Sequence, residues 1–527
     1  MMKISRIISI CAFWLTGALS LQAIPPAPGL DLQEPQRPRI PFEVQTQRAG
    51  KRCLVNQHAL PAINLAPRGL LIVASFPDID FAPVNTHQAF DSLANGADYT
   101  YAGATGSCQS YFAEQSNGQY VPQFDVIGPV KLPHPSDYYG TDSGTGNDRY
   151  IVDFVMDACK GADELGVDFS QYDNDQDGII DFVYIIYAGF GQADGGPSTT
   201  IWPHNWDLIS ALYFNYTNQQ EYYAHYNDSN QLVYNLPSYD GKLLYSYACS
   251  SELRFSTKTR SGIGTICHEF SHVLGLPDYY ITDSKYSHLE KYTPGAWSLM
   301  GYGNYLNNGN TPPNFSIYDK YYLGWVEPQI LNVTDTLQLP ADGATGYLLA
   351  RNEMHSEAKA CRTDTVYYIE NRQQTGWDEY LPGHGMLIWR VMYDQDKWTN
   401  NSPNDFKTRY RLMCADENEI PFTYGDPRPN VPFPGNVQQT TFAPFEINGL
   451  DSIQEATDGM ITFIFNTQTK TPVENVVVNG TADGAWYNLL GQPIDPKTYK
   501  GIALQNGKKY LLRLADIFLF SPLTSKL

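Results

Sequence analysis

Residues 267–278 constrain this chain most: Cys267, His268, Glu269, Phe270, Ser271, His272, Val273, Leu274, Gly275, Leu276, Pro277 and Asp278, in unbroken order. On a helix, His268 and His272 stand four residues apart and share one face. Two neutral imidazoles at that spacing can hold one Zn²⁺. Glu269 lies beside the first of them and can reach a water on the metal, whose lowered pKa lets the carboxylate take its proton. Upstream, Arg260 to Thr265 offers a flexible approach and a cap. Gly275 can end the helix in a left-handed conformation, and Pro277 prevents its continuation. The chain then turns back and can deliver Asp278 as third ligand, with the fourth position open for water. Glu290, His288, Tyr279 and Tyr280 are the rival donors for that third place.

A second cation site is suggested at residues 172–181. Asp173, Asp175 and Asp177 alternate, so their carboxylates can converge on one hard cation. Gly178 permits the sharp turn, Ile179 can offer its carbonyl, and Asp181 can complete the shell directly or through water. The twelfth position of an EF-hand would be Glu; here it is Tyr184, inside an apolar run. The expectation is a calcium loop that stabilises the protein rather than a sensor.

Lys+Arg is 35 and Asp+Glu is 56, a net charge of −21. That balance excludes a protein whose main work is gripping nucleic-acid phosphates or an anionic membrane surface. The N-terminus reads as an export signal over 1–23: Lys3 and Arg6, an apolar run from Ile7 to Leu21, and a small residue, Ala23, before Ile24 and Pro25. No later apolar run is long enough to span a membrane. Without Cys11 of the signal, seven cysteines remain: Cys53, Cys108, Cys159, Cys249, Cys267, Cys361 and Cys414. An odd count leaves at least one free thiol. Cys361 and Cys414 could pair. Cys267 reads as a small buried side chain rather than a nucleophile.

The pattern along the chain divides it further. Residues 24–67 are Pro-rich and polar, an N-terminal arm or propeptide, and a Cys53 thiolate there could fill the open zinc position and keep the protein latent. Residues 68–332 alternate buried strands (Gly69 to Phe76, Phe182 to Ala188) with helical segments (Arg149 to Leu165), which suggests an α/β or α+β catalytic body. Residues 333–466 carry short strands such as Thr365 to Glu370 and Gly385 to Val391 between Gly/Pro turns, which suggests a β-rich, sandwich-like domain. A linker and small β tail occupy 467–527.

The motif region resembles the M6 family of secreted metallopeptidases, the immune inhibitor A-like group related to metzincins, in which Asp replaces the usual third His. Gly295 to Gly303 resembles the family's Met-turn, which implies Met300 beneath the zinc. Ile201 to His204, Asp319 to Trp325, Tyr368 to Arg372 and Leu381 to Trp389 resemble further family segments, so the resemblance spans roughly 66–465. It implies a metzincin-like zinc domain and endopeptidase cleavage of proteins outside the cell or at its surface. His204 and His384 read as structural histidines. Residues 479–513 weakly resemble the C-terminal sorting domains of proteins exported by Bacteroidetes, which implies contact with secretion machinery or the cell surface. Two other functions fit the residues: a catalytically silent, calcium-stabilised surface binding protein, and a zinc hydrolase of a non-peptide bond.

Overall fold

The computed structural model of the 527-residue chain describes residues 25, 27 and 67–512, apart from 143–147, 182, 215–223, 227–231, 235, 352–363, 417–429, 446–447, 468–485, 489–490, 496–498, 500 and 506–507. The expected signal, nearly all of the arm with Cys53, the Cys361 partner suggested for Cys414, and the last residues of the tail lie outside the described residues.

Two compact units are present, residues 1–467 and 468–527. The first is built on a five-stranded sheet. Arg68–Ser75 pairs in parallel with Gln123–Lys131 on one side and Val183–Phe190 on the other. Val183–Phe190 pairs in parallel with Ser246–Leu253, whose far edge carries the antiparallel His204–Asp207. The apolar runs explain the position of the central strands, since a parallel sheet covered on both faces needs unbroken hydrophobic sequence.

Successive residues of these strands serve opposite cores, as a period of two requires. Leu71, Val73, Tyr184 and Ile186 face one core, which includes Phe112, Ile266, Cys267 and Phe270. Leu70, Ile72, Ala74, Ile185 and Tyr187 face the other, which is filled by Val152, Phe154, Val155 and Ala158 of the helix Ile151–Glu164. The helix carrying the metal-type motif thus packs on one sheet face, and the amphipathic helix Ile151–Glu164 on the other.

A second five-stranded sheet runs in the order Gln329–Ile330, Tyr347–Ala350, Val366–Arg372, Gly385–Val391, Tyr410–Met413. Its faces also alternate. Leu348, Tyr368, Leu387, Trp389, Tyr410 and Leu412 join the core of the motif helix. Tyr347, Leu349, Ile369, Met386 and Ile388 pack instead with Leu339, Leu450 and Phe463 of a three-stranded sheet formed by Asp335–Leu339, Ile461–Thr467 and Asn448–Glu455. The change of sequence pattern near residue 332 is therefore not a break in packing: one hydrophobic core draws residues from both sides of it.

The second unit contains a four-stranded sheet in the order Pro493–Ile494, Trp486–Asn488, Gly501–Gln505, Lys508–Leu512. Among the described residues, no helix is long and apolar enough to cross a membrane.

Candidate metal centre

The motif helix runs Gly264–Val273 and is buried along most of its length. Its start departs from expectation. Ile263 occupies the N-cap position with no side-chain hydrogen bond, so the predicted cap is absent. The glycines here serve close backbone approach instead. A Cβ on Gly264 would stand 2.0 Å from the Asn304 carbonyl oxygen, and one on Gly262 would stand 2.2 Å from that of Gly309. The 303–309 turn is thereby pressed against the helix start.

The helix ends as its sequence implies. Gly275 has φ +95°. Its N–H donates to the His272 carbonyl at 2.9 Å, and the Leu276 N–H donates to that of Ser271 at 3.1 Å. This is the Schellman arrangement, and it turns the chain back toward the helix. Asp278 is delivered by that return and is fully buried.

His268 Nε2 lies 3.0 Å from Asp278 Oδ1, and His272 Nε2 lies 3.4 Å from the same oxygen. His268 Nδ1 is 2.8 Å from the Leu299 carbonyl and His272 Nδ1 is 2.8 Å from the Leu276 carbonyl. A carbonyl can only accept, so both Nδ1 atoms carry the proton and donate. In the neutral rings both Nε2 lone pairs then face a carboxylate oxygen. Three acceptors converging in a buried site repel one another unless a cation lies among them. The donor set of two imidazoles and one carboxylate fits a zinc-type cation. Among the described residues, His268, His272 and Asp278 form one of two such clusters, their ligand atoms all within 4.8 Å of one another.

Without a metal ion, a proton on His268 Nε2 directed at Asp278 Oδ1 takes the cation's place between the acceptors. Burial pulls the His268 pKa down, but the hydrogen bond and negative charge of Asp278 outweigh it and leave it raised. Burial pushes the Asp278 carboxyl up, but the two histidines win and hold it well below the ordinary carboxylate range. Glu269 is fully buried, with Oε2 3.9 Å from His272 Nε2, so it stands beside the metal-type cluster without joining it.

Three of the four rival third donors have other surroundings. Tyr279 Oη donates to Asp319 Oδ1 at 2.8 Å. His288 is exposed. Glu290 accepts from the Ile281 N–H at 2.7 Å and from the Thr293 hydroxyl at 2.9 Å. Met300 is buried and its carbonyl accepts from the Tyr279 N–H at 2.7 Å, so the 295–303 segment supports both His268, through Leu299, and the loop after Asp278. His204 is buried between the Trp202 carbonyl at 2.5 Å and the Tyr247 hydroxyl at 2.9 Å, while His384 pairs with Glu455 at 2.7 Å in a half-exposed position. Cys267 is buried in the core.

Glu290 gives this loop a pH dependence. Burial lifts its carboxyl from the ordinary 4.5 to about 7. Between those values the unfolded chain has lost the proton that the native chain keeps, so stability falls as pH rises from 4.5 to about 7 and levels beyond. Glu290→Gln should remove that slope. Its stability relative to the native protein should grow by about 3 kcal/mol across the window. Denaturant midpoints at a series of pH values check this, and a difference independent of pH would contradict it.

At the acidic loop, Asp173, Asp175 and Asp177 form the other cluster. The Asp177 and Gly178 N–H groups donate to Asp173 at 3.0 Å each, and the Ile179 N–H donates to Asp177 at 3.0 Å. Lys242 Nζ is 2.7 Å from Asp173 Oδ2, a neighbour that local sequence could not reveal. Asp181 Oδ2 accepts from the Asn174 N–H at 2.6 Å, within the same loop.

A mixed helix-and-sheet body holding a buried His-His-Asp cluster beside a glutamate has the character of a metallohydrolase. Comparison with known proteins agrees: residues 86–326 match the family model of the Immune inhibitor A peptidase M6 catalytic domain. The chain is similar to Immune inhibitor A of Bacillus thuringiensis subsp. alesti, 31% identical over 237 residues, which is 41% of this chain and 31% of that protein. It is also similar to the Pre-pro-metalloprotease PrtV of Vibrio cholerae serotype O1 (strain M66-2), 24% identical over 271 residues, 45% of this chain and 27% of that one. The matched stretch spans less than a third of either relative. These matches support reading residues 86–326 as a peptidase M6 catalytic domain.

Proposed function

We propose that the chain is a zinc-dependent endopeptidase that acts on proteins outside the cell. The observation that carries this reading is the convergence of His268, His272 and Asp278 on one point with Glu269 beside it. When bound there, zinc supplies Lewis acidity, which lowers the pKa of water and polarises a carbonyl. Glu269 takes the proton of the attacking water and later gives it to the leaving amine. The Leu299 and Leu276 carbonyls hold the two imidazoles in the tautomer that presents Nε2. Burial of the cluster excludes competing water and strengthens each of these interactions. Met300 serves as a packing floor beneath the centre.

The test is digestion of casein or gelatin by the mature protein. Cleavage should disappear with a zinc chelator and return when zinc is added back; cleavage indifferent to the chelator would contradict the mechanism. The tail unit would serve export or surface attachment, in keeping with its resemblance to sorting domains.

The loop at Asp173, Asp175 and Asp177 is proposed as a structural calcium site. Calcium would compete with Lys242 for Asp173 and relieve the crowding of three carboxylates. Adding calcium to protein stripped with a calcium-selective chelator, zinc retained, should raise the melting temperature by several degrees. An unchanged melting temperature would count against the site.

A further inference from the structure

Asp278 has two carboxylate oxygens, and the structure treats them differently. Oδ1 faces both histidine Nε2 atoms. Oδ2 accepts a hydrogen bond from Asn401 Nδ2. The Asp278 N–H in turn donates to Asn401 Oδ1 at 2.6 Å. One side-chain amide therefore grips the same residue twice, by backbone and by carboxylate, which fixes its rotamer and occupies the oxygen that does not face the histidines. Because the gripping group is neutral, the carboxylate keeps its negative charge.

Asn401 is itself held. It is buried at 1% exposure and has φ +51°, a left-handed conformation that Asn tolerates better than most residues. It follows the short helix Gln395–Thr399, and its carbonyl accepts from the Thr282 hydroxyl at 3.2 Å. Nearby, Asn404 Nδ2 donates to the Tyr279 carbonyl at 2.7 Å. Asn404 also exchanges two hydrogen bonds with the Tyr410 backbone at 2.8 Å each. The Tyr410 ring stacks on that of Tyr279, 3.6 Å between centroids and 3° from parallel. Residues 401–410 thus clamp the Asp278–Tyr279 loop from the far side, although they lie outside the stretch 86–326 that matches the peptidase model.

We propose that Asn401 is the positioning residue of the third metal ligand, holding Asp278 so that Oδ1 alone is presented to the cation, and that the segment 401–410 is a working part of the metal centre. This rests on the zinc reading above. Left ungripped, the carboxylate could rotate toward two-oxygen contact or away from the histidines. Loss of such an outer partner typically weakens metal binding about 10–100-fold.

The experiment measures zinc affinity of the full chain by competition with a chromogenic chelator, together with the melting temperature of the stripped and the zinc-loaded protein. Asn401→Gly keeps the left-handed backbone and removes the amide. Asn401→Asp keeps the acceptor for the Asp278 N–H, replaces the donor by an oxygen, and is close to isosteric, so it covers the case in which the glycine variant does not fold. Both should bind zinc about 10–100-fold more weakly, with a smaller rise in melting temperature on adding zinc. A purely structural Asn401 would lower the stripped and loaded melting temperatures equally and leave affinity unchanged. Native affinity in a folded variant of either kind would overturn the proposal while leaving the zinc reading intact. A native protein that binds no zinc would sink both.

Discussion

Replacing Glu269 with Gln should lower peptide hydrolysis by about 10²–10⁴-fold while zinc stays bound, because a positioned general base contributes on that order. The side chain is fully buried, with Oε2 3.9 Å from His272 Nε2, and Gln fills nearly the same volume, so the fold has little reason to change. Gln cannot take a proton from water at neutral pH. Casein digestion beside a zinc assay checks both halves. Near-native activity in the variant would remove Glu269 from the mechanism, whereas loss of zinc together with activity would show that it supports the metal rather than the proton transfer.

The second large effect concerns stability. Arg372 is buried at 2% exposure, and its Nε and Nη2 reach the two oxygens of Asp378 at 2.5 Å each. Nη1 lies 3.3 Å from Glu370 Oε1, which also accepts from Trp389 Nε1 at 2.6 Å. Asp378 further accepts from the Asn314 N–H at 2.9 Å and from Asn314 Nδ2 at 2.8 Å. The network ties the 314–317 segment to the second sheet, and Glu370 accepts from the Ile317 N–H at 3.1 Å. Asp378→Ala would strand a buried guanidinium with only part of its partners, at a cost of about 3–5 kcal/mol. The denaturant midpoint should fall accordingly. A single variant within about 1 kcal/mol of the native protein would contradict this account of the network.

Much of the candidate centre was legible because its chemistry is local in sequence. His268, Glu269 and His272 share one helix, and the step from Gly275 to Asp278 is a short turn whose φ and hydrogen bonds follow from glycine's freedom. The central strands were legible for a related reason: unbroken apolar runs have few places to go other than a covered sheet. What was hidden is what long-range folding brings together. The Leu299 carbonyl orients His268 from 31 residues away, and backbone carbonyls leave no mark in a sequence. Asn401 reaches Asp278 from 123 residues away. Its only local signal was an Asn in a polar run after a short helical segment, which many turns share. The glycines before the motif helix looked like a flexible approach and a cap; their cause is the 303–309 turn pressed against them. Lys242 comes to the acidic loop by the same kind of distant contact. The core common to both sides of residue 332 was equally invisible, because strand patterns report which face is buried but not what buries it.

The central claim is that His268, His272 and Asp278 hold zinc. Its most direct test is the zinc content of the purified full chain, by atomic spectrometry, beside a His268→Ala/His272→Ala variant confirmed to be folded. The native chain should carry about one zinc, as a mononuclear site with three protein ligands requires, and the variant should carry essentially none. A native chain without zinc, or a double variant that retains it, would contradict the account.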